Sequence, residues 1–318
     1  MAGSRRGTSK IEKVGFSRER KTSWEASPEG KRGARTAKGA VAEAAAGNSN
    51  VQISNIGAAS GMAPGARLAI YKVFWQAGGN LYATSTDIFS AVDQAVADGV
   101  DVLSLSLGGA SSTDTDFDDV PFISVNAAGV FVAFAAGNEG RQLRTLLHDS
   151  SISPAATAAP VVAYFSSTGP LDKPSSATPA AYPSNTILKP DIIAPGVGLW
   201  SAAPDKTVGS GGWFVALSGT SMATPHIAGI AALIIQQRPD WTPSQIMSAM
   251  MTTARTTDTN NGAIQNEFGR AATPWEIGAG HVVPARVVNP SLTWVDNNGH
   301  SVRSVLAVQP SSACNFGC

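Results

Sequence analysis

The sequence predicts an α/β domain in three layers, a central and mostly parallel sheet flanked by helices, and three observations predict it. Apolar runs of strand length alternate with segments of helical periodicity between residues 67 and 135, which reads as successive βαβ units. Charged residues are only 14% of the chain while Gly and Pro number 32 and 19, the balance of short buried strands, apolar helices and many turns. At 318 residues and 43% hydrophobic, the chain is long enough to bury a large core.

Taken in order, residues 1–48 form a basic leader. Residues 1–50 hold eleven of the 23 Lys and Arg against five Glu and lack clear periodicity, so the stretch is expected to be solvated and disordered. It has no apolar core of about 7–15 residues, so no secretory signal is expected, and no run of about 18 apolar residues predicts a membrane span anywhere. Arg67–Val73 follows the Pro64-Gly65 turn and reads as a strand. Thr86–Ala97 carries Ile88, Ala91, Val92, Ala95 and Val96 at helical spacing, with Thr86 as N-cap and Gly99 ending the helix. Val100–Leu107 is a strand, a short helix follows, and the unbroken apolar run Val130–Ala135 suits a strand buried on both faces. Ser201–Gly212 is a polar, Gly-rich loop, and Met222–Gln237 is a helix apolar on most sides, hence buried. Thr242, Pro243 and Gln245 form a capping box that opens a helix over Ser244–Ala254. The main domain is placed at residues 49–292, with a loose tail over 293–318.

The overall charge is zero, which argues against a nucleic acid or a membrane surface as partner. The only cysteines, Cys314 and Cys318, lie four positions apart at the end of the chain. They read as frayed thiols rather than a ligand pair with His300, and no metal or cofactor is expected.

Three segments carry chemistry. In Gly219-Thr220-Ser221-Met222-Ala223-Thr224-Pro225-His226 a serine stands at the start of a buried helix. Gly219 removes bulk, and the helix N-terminus offers free N–H groups and about half a unit of positive charge to a developing oxyanion. Pro225 is expected to be harmless because it is placed in the first turn. Read alone, Ser221 equally suits an ordinary N-cap. Ala135-Ala136-Gly137-Asn138-Glu139-Gly140 follows the buried strand, where parallel sheets bind ligands, and Asn138 can project an amide donor into that crevice. An Asn in a glycine-rich turn is the plainer alternative. Ser104-Leu105-Ser106-Leu107-Gly108-Gly109 ends a strand whose backbone suits the addition of an extended peptide, or merely enters a turn.

In this order the three segments resemble the subtilisin-like serine proteases: a substrate strand S-L-G-G, an oxyanion turn A-A-G-N-x-G and a nucleophile block G-T-S-M-A-x-P-H. Ala58–Trp75, Ala163–Pro170, Leu188–Gly196 and Ile277–Val282 are similar to the plant-type branch, and the likeness covers about residues 45–292. The resemblance implies a subtilisin-like fold with its N-terminal part incomplete and a serine endopeptidase activity on extended peptides. It gives Ser221 as nucleophile, and Asn138 with the Ser221 N–H as oxyanion hole. Ser106, Leu107, Gly108 and Gly109 would line the substrate subsites, and His226 would be structural. Extracellular localisation follows by analogy only. An unrelated hydrolase with a G-x-S-x-G elbow does not suit G-T-S-M-A.

The pattern also fails in one place. The family's triad runs Asp, His, Ser, with the His in an H-G-T-H motif, yet the four histidines here are His148, His226, His281 and His300, and the first aspartate is Asp87. No catalytic Asp or His is therefore found before Asn138. A serine hydroxyl is a weak nucleophile without an adjacent base, and subtilisin itself loses about 10⁶-fold when that base is removed. Glu43 and Lys38 lie near the vacant position but make poor substitutes. The polypeptide as it stands is expected to be catalytically incompetent, either as a disrupted endopeptidase or as a pseudoprotease that binds peptides.

Overall fold

The computed structural model of the chain describes residues 51–53, 57–77, 80–107, 119–138, 140, 158–169, 189–202 and 214–294. Their elements run β1 (Val51–Ile53), β2 (Gly57–Ala59), β3 (Trp75–Ala77), β4 (Asn80–Tyr82), α1 (Ser85–Ala97), β5 (Val102–Leu105), α2 (Asp119–Ala127), β6 (Phe131–Phe134), β7 (Leu199–Ala202), β8 (Phe214–Leu217), α3 (Thr220–Gln237), α4 (Pro243–Thr252), α5 (Pro274–Ile277) and α6 (Pro284–Val287). The basic leader, Gly108, Gly109, His148, His300, both cysteines and nearly all of the tail lie outside the described residues.

The layering follows from strand geometry. β5 and β6 pair in parallel, from Val102 opposite Phe131 to Leu105 opposite Phe134, with α2 between them in sequence. Successive strand residues point to opposite faces. Val102, Phe131 and Ala133 join a buried cluster with Ala228, Ile230, Ala231 and Ile234 of α3 and Ile246 and Met250 of α4. Leu103 joins a second cluster with Ile88 and Val92 of α1 and Phe122 and Val125 of α2, against which Val132 also packs. One ladder thus separates two helical layers, as the periodicity predicts. The pairs β1–β2, β3–β4 and β7–β8 are antiparallel.

Local signals set the helix ends, with one shift. The N-cap of α1 is Thr84, not Thr86. Thr84 Oγ1 accepts from the Asp87 N–H at 3.1 Å, and the Asp87 carboxylate accepts the Thr84 hydroxyl at 2.8 Å. A box opened at Thr86 would need its polar third residue at Phe89, which has none to offer. Gly99 closes the helix at φ 74° as expected. The Thr242–Gln245 box opens α4, which ends at Thr252, two residues earlier than expected, where the Thr253 N–H turns back to the Ala249 carbonyl.

Arg67–Val73 is not a strand; only Tyr71 forms a β-bridge there. Its alternation is nevertheless real. Leu68 packs on the α3–α4 cluster while Tyr71 and Val73 pack on the α1–α2 cluster. The pattern reports which way side chains face, and this extended segment faces both layers without a continuous ladder. β6 likewise departs from a strand buried on both sides. Phe131 and Ala133 are buried, but Phe134 at its C-terminal end is 39% exposed, its ring meeting Phe122 edge-on. β7 occupies Ser201 and Ala202, where the composition predicts the start of a loop. Among the described residues no helix is long and apolar enough to cross a membrane.

Candidate active site

The carboxyl ends of β5 and β6 lie side by side, and the start of α3 meets them there. After β6 the chain turns through Gly137 and Asn138. This turn is held on both sides: the Ser167 N–H donates to the Gly137 carbonyl at 3.1 Å and the Gly140 N–H to the Phe165 carbonyl at 2.9 Å. Gly140 sits at φ 66°, and a Cβ there would lie 2.9 Å from the Tyr164 carbonyl oxygen, so only glycine permits this close approach.

Asn138 is aimed by its neighbour across the site. The Thr220 backbone N–H donates to Asn138 Oδ1 at 2.9 Å, and Thr220 Oγ1 lies 2.9 Å from the same oxygen and 3.2 Å from the Gly137 carbonyl. A backbone N–H can only donate, which fixes the atom it meets as the oxygen. The carboxamide nitrogen is left as the donating end. Thr220 is 8% exposed, and the sequence pattern does not single it out. Its one signal is its place between Gly219 and Ser221 in the nucleophile block.

Ser221 is the second residue of α3, half-buried, with Gly219 as N-cap. The Gly219 N–H donates to the Gly196 carbonyl at 2.8 Å and the Gly198 N–H to Ser218 Oγ at 2.9 Å, which hang the turn before Ser221 on the segment that leads into β7. A Cβ at Gly196 would come within 2.9 Å of the Gly219 oxygen. In the first turn the Thr220 N–H goes to Asn138 and the Met222 N–H to the Gly219 carbonyl at 3.0 Å. The Ser221 N–H donates to no atom of the described residues. Ser221 Oγ donates to the Ser106 carbonyl at 3.5 Å, while Ser106 Oγ donates to the Ser221 carbonyl at 2.8 Å. The structure therefore brings together Ser221, Asn138 and Ser106, with Leu107 next in the chain.

Pro225 does not lie in the first turn. The helix opens at Thr220, which makes Pro225 its sixth residue and an interior proline. Its ring nitrogen has no hydrogen for the Ser221 carbonyl four residues back.

The two described histidines are occupied elsewhere. His226 Nδ1 lies 2.8 Å from the Met222 carbonyl of its own helix, and His281 Nδ1 lies 2.8 Å from the Val282 carbonyl. Burial pushes the His281 pKa below the usual imidazole range; the nearby charges of Arg255 and His226 push the same way, and the bond to Val282 opposes them. Among the described residues no group of three or more His, Cys, Asp or Glu is arranged to hold a metal.

The profile of the Subtilase family, Peptidase S8, matches residues 39–270, well over half of the chain. The chain is a subtilase. This subtilase is 39% identical over 178 residues to the "CO(2)-response secreted protease" of Arabidopsis thaliana, a match covering 51% of this chain and 22% of that protein. It is 45% identical over 143 residues to "Subtilisin-like protease SBT2.4" of the same plant, covering 42% and 17%. The chain thus spans about a fifth of the length of the curated relatives it matches. Among solved structures it resembles the prenylagaramide maturation protease PagA, with a TM-score of 0.53 and 22% identity over 79% of this chain and 80% of that one. A mutant of the protease domain of PatA gives a TM-score of 0.50 and 20% identity over 78% of each chain. At such identities the likeness concerns the fold alone, and that fold is the α/β subtilisin-like one.

Proposed function

We propose that this subtilase carries the nucleophile and oxyanion half of a serine endopeptidase, and that the 318-residue polypeptide does not turn over. In this reading Ser221 Oγ attacks a scissile carbonyl carbon, and Asn138 Nδ2–H with the Ser221 N–H receives the oxygen as it becomes negative. The N-terminal end of the 18-residue α3 adds positive potential at the same point. Ser106 to Gly109 serve as the edge along which an extended protein substrate lies. The reading rests on one observation above all: two hydrogen bonds from Thr220, the residue before Ser221, occupy the Asn138 oxygen and leave the carboxamide nitrogen as the donating end.

Incompetence follows from the partner of the hydroxyl. Ser221 Oγ donates to the Ser106 carbonyl, and a carbonyl oxygen cannot take up a proton at neutral pH. No histidine precedes Asn138 in the chain. Without a base, what remains is the contribution of binding and oxyanion stabilisation, about 10³–10⁴ over water in serine proteases stripped of a triad member. A peptide held on the Ser106 edge without being cut is then the second reading, a non-catalytic binding module. Secretion, after the relative named as a secreted protease, belongs to the same proposal by analogy.

Treatment of the purified chain with a fluorophosphonate, read by intact mass and peptide mapping, tests this. The expected result is no stoichiometric adduct on Ser221 within hours. Rapid, stoichiometric modification of Ser221 that disappears in Ser221→Ala would overturn the proposed incompetence while supporting the assignment of the nucleophile.

A further inference from the structure

An interior proline leaves a carbonyl without its helical partner, and in α3 that carbonyl belongs to Ser221 itself. Pro225 cannot donate to the oxygen four residues earlier, so the backbone of the nucleophile would be left untied on one side in the helix's opening turns. The vacancy is filled from a different element, 115 residues away in sequence: Ser106 Oγ donates to the Ser221 carbonyl at 2.8 Å from just beyond the C-terminal end of β5. The same residue's carbonyl accepts the Ser221 hydroxyl at 3.5 Å. The two serines are thus joined reciprocally. The shorter bond fixes the Ser221 backbone, and the longer one is weak enough to release the hydroxyl when a substrate or a base presents itself.

We infer that Ser106 is a positioning residue, whose hydroxyl replaces the hydrogen bond deleted by Pro225 and thereby sets where the Ser221 side chain stands relative to the Asn138 amide and the helix amides. This goes beyond lining a subsite, since it couples the peptide-binding strand to the nucleophile's own backbone. The inference rests on reading Ser221 as the nucleophile, but its test needs neither a base nor turnover. It would survive a chain that proved to be phosphonylated rapidly.

The experiment replaces Ser221 by Cys in the full chain, with Cys314→Ser and Cys318→Ser, and follows alkylation of the new thiol by iodoacetamide as a function of pH. A thiolate reacts without help, and its apparent pKa reports how closely it faces the amide donors and the helix end. Adding Ser106→Ala is expected to raise that pKa and slow alkylation at pH 7 by about 3–10-fold, as the thiol drifts from its donors. Ser106→Thr, which keeps the hydroxyl, should restore the parent profile. Pro225→Ala should also rescue Ser106→Ala, because the new backbone N–H takes over the Ser221 carbonyl. The proposal is overturned if the profile of folded Ser106→Ala superimposes on the parent, or if Pro225→Ala fails to reverse its effect. Should Ser106→Ala alone not fold, the Ser106→Ala, Pro225→Ala pair is expected to fold and to show the parent profile; failure of the pair overturns the inference too.

Discussion

Single residues in this subtilase often act through an atom their type does not advertise. Asn138 is read as a donor from its place after a buried strand, yet its aim is set by Thr220, through a backbone N–H that any residue but proline carries together with a hydroxyl 2.9 Å from the same oxygen. No residue-type pattern reveals such a bond. His281 is a further case. Burial, ahead of the charges of Arg255 and His226, holds its imidazole neutral, so its folded pKa lies below the ordinary 6.5. A lowered histidine leaves stability unaffected above the unfolded value and costs stability as pH falls from 6.5 through the folded pKa, since the unfolded chain then binds the extra proton. The unfolding midpoint is therefore expected to drop as pH is lowered from about 7 to about 5, as followed by circular dichroism. His281→Asn, which keeps a side-chain donor for the Val282 carbonyl but does not titrate, should flatten that part of the slope. An equal slope in the variant would remove His281 from the account.

At the scale of elements, caps and periodicity are readable in the sequence and pairing is not. The Thr242–Gln245 box is visible because its two halves lie three residues apart in the chain. The box at Thr84 is harder to place because two threonines stand near the helix start and only the position of Asp87 selects between them. Arg67–Val73 shows the limit most clearly: alternation records facing, whereas a ladder requires neighbours from distant parts of the chain that no local window contains. Turns between elements pose the same problem for glycine. Gly278 sits at φ 56°, and a Cβ there would strike the backbone of Pro190 and Asp191, while Gly65 has nothing within 4 Å of the corresponding point. Gly278→Ala is expected to destabilise by several kcal/mol, through both the left-handed backbone and the overlap, and Gly65→Ala to stay within about 0.5 kcal/mol of the parent. Urea titration of both variants measures the difference. Comparable midpoints would show that the segment around residue 190 yields easily.

At the scale of the whole molecule, two apolar clusters share one short ladder. Val102 is fully buried in one cluster and Leu103, 3% exposed, in the other, so adjacent residues of β5 anchor opposite layers. Removing either should weaken the same cooperative unit. Leu103→Ala is expected to cost about 2–5 kcal/mol, a large fraction of a typical domain's margin. Far-UV and near-UV signals should lose their structure at the same temperature in that variant; separate transitions would mean that the α1–α2 layer unfolds on its own. The layered α/β plan is recoverable from sequence because buried strands and apolar helices alternate over short distances. The candidate site is legible because its three segments each begin or end an element. What joins those segments is a set of hydrogen bonds spanning 82 to 115 residues, and such links leave no trace in local composition.

The oxygen of Asn138 is fastened to the opening turn of α3, where Thr220 is followed by Ser221, while its backbone stays with the turn after β6. A shear of α3 across the sheet would have to stretch these two bonds before the side chains of Asn138 and Ser221 could part. The contact is a clasp between sheet and helix, fixed at one end to each.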